Sequence, residues 1–228
     1  MEAGYHTPTE EYLETIQALD DEGTEVIGAR IAERLGRSAP AVKEMLDRLE
    51  DDGYVDRHGR VVHLTERGQD LATTVVRRHR LAERLLVDVI GLEWHKVHAE
   101  AGRWEHVISA DVEEKLIALL DDPATCPHGN PIPGHGGQRR AERSLTEAKE
   151  GDELELVRIT ELVEHDDAAL AAMDEAGFIP GHRGTLAARH ADGTFEIITP
   201  RGQLTLAAKT AANCFVANEP SGEAAVRS

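Results

Sequence analysis

The sequence predicts a mainly α-helical protein with small β parts, arranged as a winged helix-turn-helix, a helical domain and a small β-barrel. Three patterns, met in order along the chain, support this prediction. Three helical periodicities and a hairpin pattern occupy residues 7–64, long apolar helix faces follow up to residue 120, and short β-rich runs come after residue 150. A chain of 228 residues is long enough for two or three small domains.

The N-terminal part, residues 1–73, has the element order of a winged helix-turn-helix. A capping-box pattern at residues 7–10, with proline at the first helical position, begins the first helix. The periodicity of Gly28–Leu35 predicts a second helix, and Ser38 can cap a third. Two β-rich runs on either side of Gly59 predict a hairpin. Three helices and a hairpin in this order predict DNA binding.

The middle part, residues 74–134, is predicted to be a helical domain. The apolar periodicity indicates a long helix over residues 65–90 and further helices over residues 93–108 and 109–120. Their apolar faces can pack together and also against a second subunit. We therefore expect a homodimer.

The C-terminal part changes from helical to β patterns. A turn-rich segment is followed by residues 135–147, predicted as a linker, and then by a barrel domain over residues 148–218. The last residues, 219–228, are predicted to be disordered. The barrel strands are expected at residues 153–157, 184–188, 194–198 and 204–207, with a short helix at residues 167–176.

Composition limits the cellular setting and the partners. The net charge is −18, from 43 acidic and 25 basic residues, which taken alone argues against nucleic acid. Either the protein has no anionic partner, or its acidic surface suits high salt and its basic residues lie on one face. With no segment apolar enough to span a bilayer and no signal peptide, we expect a cytoplasmic protein without a membrane partner.

The predicted winged helix suggests which residues contact double-stranded DNA. Early residues of the third helix face the major groove if the motif docks in its usual way, and nearby arginines can meet phosphates. The alternative for the arginines is pairing with local acids such as Glu33 and Asp47. The candidates for DNA contact are Arg30, Arg37, Ser38, Pro40, Ala41, Lys43, Glu44, Arg57 and Arg60.

Two helical segments place metal-binding side chains on shared faces. His79 and Glu83 are four residues apart and lie one above the other on a helix. His98, Glu105 and His106 also share one helix face with Gly102, at positions i, i+7, i+8 and i+4. Imidazole and carboxylate groups that converge between helices suit a first-row divalent cation. Metal binding is therefore predicted.

Several separated motifs resemble the diphtheria toxin repressor family of metal-dependent transcription regulators. The resemblance covers most of the chain and implies an SH3-like fold for the barrel, related to small iron-transport accessory domains. The motifs are Ala29-Arg-Ile-Ala-Glu-Arg-Leu35, His79-Arg-Leu-Ala-Glu83, Lys96-Val-His98, Arg103-Trp-Glu105-His106 and Gly129-Asn-Pro-Ile-Pro-Gly134.

The resemblance also implies two metal positions per subunit. The ancillary position would use His79, Glu83 and His98, with a further ligand from Glu164 or Asp166 of the barrel domain. The primary position would use Glu105, His106 and Glu11, the residue before the tyrosine of the first helix.

Two departures from the family pattern affect the choice of metal. Iron-responsive members have Met where this chain has Glu11 and Cys where it has Gly102, whereas manganese-responsive members have acids at both places and a second acid that matches Glu14. A water, Glu14 or Glu100 could fill the gap at Gly102. An oxygen- and nitrogen-rich site favours Fe²⁺ or Mn²⁺ over copper. The isolated Cys126, with His128, is expected to belong to a structural loop.

The function predicted from these observations is a metal-dependent transcriptional regulator, most simply a repressor of metal-uptake or metal-homeostasis genes, that binds a palindromic operator. It is not expected to be an enzyme. Two alternatives stay open at this point: a metal-binding hydrolase, and a metal-transport adaptor that binds metal without DNA.

Overall fold

A computed structural model describes residues 7–134 and 141–217. The tail predicted over residues 219–228 and the start of the predicted linker lie outside these residues. The chain divides into two compact units, each described by itself. The first unit consists of residues 1–82 and 101–119, and the second of residues 83–100 and 120–228.

The first unit contains the predicted winged helix-turn-helix, which the structure confirms. Its β1 and β2 strands pair antiparallel, with Val55 opposite Leu64 and His58 opposite Val61. Helix α4 begins in this unit, and α5 ends in it. The elements are α1 (Thr7–Asp21), α2 (Gly28–Leu35), α3 (Ala39–Asp51), β1 (Val55–His58), β2 (Val61–Leu64), α4 (Glu66–Arg84), α5 (Val97–Trp104) and α6 (Ala110–Leu119).

The core of the first unit forms where the apolar faces of the three N-terminal helices meet. On α1 these residues recur at helical spacing, so that one face of the helix is buried and the other is polar. Burial of such side chains stabilises the unit by about 1.5–3 kcal/mol each. The buried residues are Tyr12, Leu13, Ile16, Leu19, Val26, Ile31, Val42, Leu46, Leu49, Val55, Val62 and Ala72.

Two local features position the third helix and the wing. Gly36 ends α2 with φ at +61°, and the Ser38 hydroxyl then caps α3 by accepting a hydrogen bond from the Ala41 amide at 3.4 Å. In the first turn of α4, Gly68 approaches the hairpin so closely that a Cβ would lie 2.0 Å from the Tyr54 carbonyl oxygen. Only glycine fits there.

The helices of the middle part differ from the prediction. Residues 65–90 do not form one α-helix, because Leu85–Ile90 has π-helical geometry. The helix predicted over residues 93–108 is a 3-10 turn, Trp94–Lys96, followed by α5, which ends at Trp104. After α5 the chain forms a turn in which the Val107 amide donates to the Trp104 carbonyl at 2.9 Å, so that the predicted helix does not continue to residue 108. Glu105 and His106 therefore lie in a turn and not on a helix, and Nε2 of His106 lies 3.2 Å from Oε1 of Glu105.

The second unit contains a six-stranded antiparallel sheet with the order β3-β8-β4-β5-β6-β7. Its strands include the four predicted ones. Strands β3 and β8 were not predicted; β3 lies within the predicted linker and pairs with β8. The elements are β3 (Glu142–Ser144), β4 (Glu153–Ile159), α7 (Glu161–Glu164), α8 (Asp167–Ala176), β5 (Arg183–Arg189), β6 (Phe195–Thr199), β7 (Gly202–Leu206), α9 (Ala208–Ala212) and β8 (Cys214–Ala217).

The core of this unit is not made by the sheet alone. Trp94, from the segment before α5, is buried with Leu156 and Ile197 of the sheet and with Phe178 of the loop before β5. Its indole N–H donates to the Pro127 carbonyl oxygen at 2.9 Å. This packing explains why residues 83–100 group with the sheet. Within the described part of the chain, no helix is long and apolar enough to span a membrane.

A buried carboxylate joins α4 to α6 in the first unit. Glu113 is 7% exposed and accepts from Nε of Arg77 at 2.5 Å and Nε of Arg78 at 2.8 Å. Burial alone would raise the pKa of Glu113, but the hydrogen bonds from Arg78 and Arg77 outweigh it and hold the pKa below its ordinary value.

We expect Glu113→Gln to lower the free energy of unfolding at neutral pH by about 1–3 kcal/mol, because two guanidinium groups lose their counter-charge. A lowered pKa means that this stabilisation is present above the pKa of the unfolded glutamate, about 4.3, and is lost as the pH falls through the lower folded pKa. Urea denaturation at one protein concentration, at neutral and acid pH, measures both effects. The exposed neighbour provides the control Glu114→Gln; equal stabilities of the two variants at neutral pH would contradict the assignment.

Candidate metal centres and DNA-binding surface

A first cluster of imidazole and carboxylate groups lies in the first unit around Glu105. This carboxylate is 3% exposed. One oxygen contacts Nδ1 of His79 on α4, and the other lies 3.2 Å from Nε2 of His106. Glu14 of α1 completes a group with His79 and Glu105 whose donor atoms all lie within 4.8 Å of one another. Carboxylate oxygens and imidazole nitrogens are the donors that Fe²⁺ and Mn²⁺ use.

The second ring nitrogen of His106 contacts α1. Its Nδ1 lies 2.5 Å from Oε2 of Glu10, a residue that was not among the predicted ligands. This hydrogen bond, together with the charges of Glu105, Glu10 and Glu11, raises the pKa of His106 above its ordinary value, while partial burial opposes the rise. Because a cation must displace a proton from this ring, binding through His106 should weaken in acid.

Glu11 and Gly102 are the two positions at which the chain differs from the iron-responsive members of the family that it resembles. Glu11 directs its carboxylate to Arg37, at 3.6 Å, and 39% of its side chain is exposed. At Gly102 an added Cβ would meet nothing within 4 Å. The role of Glu11 as a metal ligand remains a prediction.

A second cluster lies in the second unit around Glu83 and Glu164. Nδ1 of His128 is 3.0 Å from Oε1 of Glu83, and Nδ1 of His98 is 3.4 Å from the same oxygen. Glu164, at the end of α7, contacts the same two rings at 3.8 Å and 3.1 Å. The thiol of Cys126 groups with Glu83 and His128 within 4.8 Å. This cluster thus offers nitrogen, oxygen and sulfur donors.

A tight turn positions the loop residues of the second cluster. The Cys126 amide donates to the Asn130 carbonyl at 2.8 Å, and Gly129, with φ at +87°, lies so close to β4 that a Cβ would meet the Val157 carbonyl oxygen at 2.0 Å. The Asn130 side chain donates to Oε1 of Glu164 at 2.6 Å. Cys126 and His128 were expected to be merely structural. Their proline- and glycine-rich sequence surroundings predict only a loop, whereas the tertiary fold brings both residues close to Glu83.

The chemistry of the second cluster fits a cation, because the carboxylates of Glu83 and Glu164 face Nδ1 of both His98 and His128. His128 is fully buried, and within residues 7–134 and 141–217 its Nε2 has no hydrogen-bond partner. Because the two ring nitrogens of an imidazole point in different directions, a cation beside Glu83 and Glu164 would use Nδ1 of His128, which faces these carboxylates.

The two ancillary ligands predicted from the barrel domain differ in their contacts. Of the two predicted barrel-domain residues, Glu164 joins the second cluster. Asp166 instead caps α8, accepting from the Ala169 amide at 3.1 Å. The predicted trio of His79, Glu83 and His98 stays a prediction.

The predicted DNA-contacting residues of α3 lie on an exposed surface. Ser38, Pro40, Ala41, Lys43 and Glu44 are all solvent-exposed, at the start of the helix. The basic candidates pair with local acids. Lys43 contacts Asp47 at 2.6 Å, Arg57 contacts Asp47 and Glu50, Arg60 contacts Glu25 at 2.8 Å, and Arg30 donates to the Glu25 carbonyl at 2.6 Å.

Family models match three successive parts of the chain. Residues 6–61 match the N-terminal DNA-binding domain of iron-dependent repressors, residues 65–134 match their metal-binding and dimerisation domain, and residues 143–218 match the FeoA domain. The chain belongs to the diphtheria toxin repressor family. The resemblance inferred from its motifs is confirmed, and the FeoA match confirms the SH3-like assignment of the C-terminal domain.

Individual relatives agree with this assignment. The iron-dependent repressor IdeR of Mycobacterium tuberculosis is 44% identical over 213 residues, which cover 87% of this chain and 91% of IdeR. The diphtheria toxin repressor of Corynebacterium diphtheriae is 53% identical over 127 residues, 55% of this chain and 56% of that repressor. A solved manganese-dependent transcriptional repressor in complex with manganese is 31% identical, with a TM-score of 0.79, and covers 92% of this chain and 99% of that one.

For the second cluster we expect Glu164→Gln to weaken binding of one of two cations per chain by about 10–100-fold, because the variant keeps the shape but loses the charge. Asp166→Asn is the matched control, since asparagine caps a helix as well as aspartate does. Calorimetric titration with Mn²⁺ measures stoichiometry and affinity. If Asp166→Asn, and not Glu164→Gln, removes a site, the cluster described above is not the metal centre.

Proposed function

We propose that this protein is a homodimeric, metal-activated transcriptional repressor of metal-uptake or metal-homeostasis genes. It acts without enzymatic activity, in the cytoplasm, where the chromosome is accessible. Iron-dependent and manganese-dependent repressors among its relatives support the proposal, as do the three matched domains.

One contact supports the coupling of metal to DNA binding more than any other. Glu10 lies on α1, whose apolar face packs into the core of the DNA-binding domain, and it contacts His106 from the turn after α5. The imidazole and carboxylate groups of the first cluster thus belong to both domains of the family pattern. A cation held there fixes the DNA-binding helices relative to the turn that contains Glu105 and His106.

We assign two metal centres per chain. The first uses Glu105 and His106 with Glu11 and Glu14 of α1. The second uses Glu83, His98 and Glu164, to which we add Cys126 and His128. His79 stays a predicted ligand of the ancillary centre, although in the structure it contacts Glu105. When bound, Fe²⁺ or Mn²⁺ supplies positive charge among these carboxylates.

The mechanism we propose is a population shift. Without metal, the carboxylates of the first cluster repel one another, and the DNA-binding domain samples several orientations. Glu11 contacts Arg37 in the structure, so its recruitment to a cation would also release Arg37 for a phosphate. A difference in metal affinity of about 10²-fold between the two states, about 2.7 kcal/mol, is enough to switch operator binding.

Exposed apolar side chains support the dimer. They occur in the segment matched by the metal-binding and dimerisation model, and large exposed apolar groups commonly mark interfaces. A two-fold dimer predicts a palindromic operator with half-sites one helical turn apart, or a multiple of that. The exposed residues are Val107, Val112 and Leu119 in the first unit and Val89 and Ile90 in the second.

We expect Mn²⁺, or Fe²⁺ without oxygen, to tighten binding to the protein's own promoter about 10²-fold relative to chelator in a gel-shift assay. Lys43→Ala should bind metal normally and shift the promoter weakly. A shift that is indifferent to chelator would refute metal activation. Metal binding without any shift would favour a metal-transport adaptor instead.

We also expect Asp47→Asn to bind DNA several-fold more tightly in the metal-loaded state. Asp47 pairs with both Lys43 and Arg57, and its loss makes these cations available to phosphates. Fluorescence anisotropy at several salt concentrations should show a steeper salt dependence. Glu153→Gln, in the sheet domain, changes the net charge equally; an equal gain there would show that only total charge matters.

A further inference from the structure

Two nitrogens of one imidazole meet two different carboxylates in the first cluster. Nδ1 of His106 faces Oε2 of Glu10 at 2.5 Å, and Nε2 faces Oε1 of Glu105 at 3.2 Å. The ring nitrogens point in different directions, so that one metal ion can use only one of them. The contacts therefore divide the ring into a side that faces α1 and a side that faces Glu105.

The Glu105 side is the side for a cation. Glu105 is nearly buried, its other oxygen contacts His79, and Glu14 groups with both. A metal on Nε2 thus gains a second imidazole and carboxylates nearby. On the Nδ1 side the short contact is with Glu10, whose side chain is 16% exposed. Metal-binding histidines almost always donate their other N–H to a carboxylate, a backbone carbonyl or a water, which fixes the tautomer and the ring orientation.

We propose that Glu10 is a positioning residue of the metal centre: it accepts the Nδ1–H of His106 and so keeps Nε2 available to the cation beside Glu105. This inference rests on the proposed metal-dependent function. It assigns Glu10 a different task from its neighbour Glu11, which is proposed as a direct ligand. The open space at Gly102 makes the orientation of His106 more important, since no side chain from that position can help to hold the metal.

The tautomer of His106 is the direct readout. Long-range ¹H–¹⁵N spectra of ¹⁵N-histidine-labelled, metal-free protein distinguish Nδ1–H from Nε2–H at a pH where the ring is neutral. The signals that are absent from the spectrum of His106→Gln belong to His106. We expect wild type and Glu10→Gln to show the Nδ1–H form, because the glutamine oxygen still accepts the hydrogen bond. Glu10→Ala should lose this preference, and Glu10→Asp, which is one carbon shorter, should weaken it.

Mn²⁺ affinity is the second readout. We expect a loss of about 10–100-fold in Glu10→Ala and a smaller loss in Glu10→Gln. Glu11→Gln should lose affinity without any change in the His106 tautomer, and Asp20→Asn on the same helix should change neither. If Glu10→Ala does not fold, Glu10→Asp and Glu10→Gln decide the question.

Two results would overturn the inference. If Glu10→Ala and Glu10→Asp both keep the wild-type tautomer of His106, Glu10 does not orient the ring. If the Glu10→Ala variant does not fold, the tautomer in Glu10→Asp alone decides this point. An equal loss of affinity in Glu10→Gln and Glu10→Ala, with the tautomer unchanged, would make Glu10 a ligand. If wild type fails to bind Mn²⁺ or Fe²⁺, the proposed function fails, whereas the tautomer in metal-free protein still tests the role of Glu10.

Discussion

The buried carboxylate of Glu105, held between the rings of His79 and His106, is the interaction on which the proposed function of the first unit depends. An ionised carboxylate inside a protein is costly unless opposite charge or hydrogen bonds compensate it. Protonated imidazole can provide that charge. In the proposed mechanism a divalent cation would provide it better and would connect the turn after α5 to α1. The same electrostatic need that would bind metal would therefore restrict the DNA-binding helices.

The second cluster follows the same logic inside the second unit. Glu83 and Glu164 are both buried and face the imidazoles of His98 and His128. The donors come from distant parts of the sequence: Glu83 from α4, His98 from α5, Cys126 and His128 from a tight turn, and Glu164 from the end of α7. A cation at this position would join the helical segment to the sheet domain, with Asn130 orienting Glu164.

Much of this architecture could be predicted from local patterns, and the failures have physical causes. Gly28–Leu35 was placed correctly because helical periodicity and a terminal glycine coincide there. The edge strand Glu142–Ser144 was missed because it is short and becomes a strand only by pairing with β8. Spacing identified the histidines and acids, but it could not show that His79 contacts Glu105, since the helical pattern does not reveal the turn after Trp104. Glu10 lacked any sequence pattern beyond a capping box, and Cys126 required a tertiary contact to become a candidate ligand.

The acidic composition and DNA binding are compatible because of how the basic residues are paired. Lys43, Arg57 and Arg60 each contact a carboxylate on or beside the DNA-binding surface. Exposed ion pairs contribute only about 0–1 kcal/mol, so that a phosphate can replace the carboxylate at little cost. The placement of α3 in the major groove then determines whether enough of these basic side chains exchange a carboxylate for a phosphate at the same time. Because the total charge opposes DNA binding, the geometry of the DNA-binding domain has to favour it, and in the proposed mechanism metal binding would control that geometry.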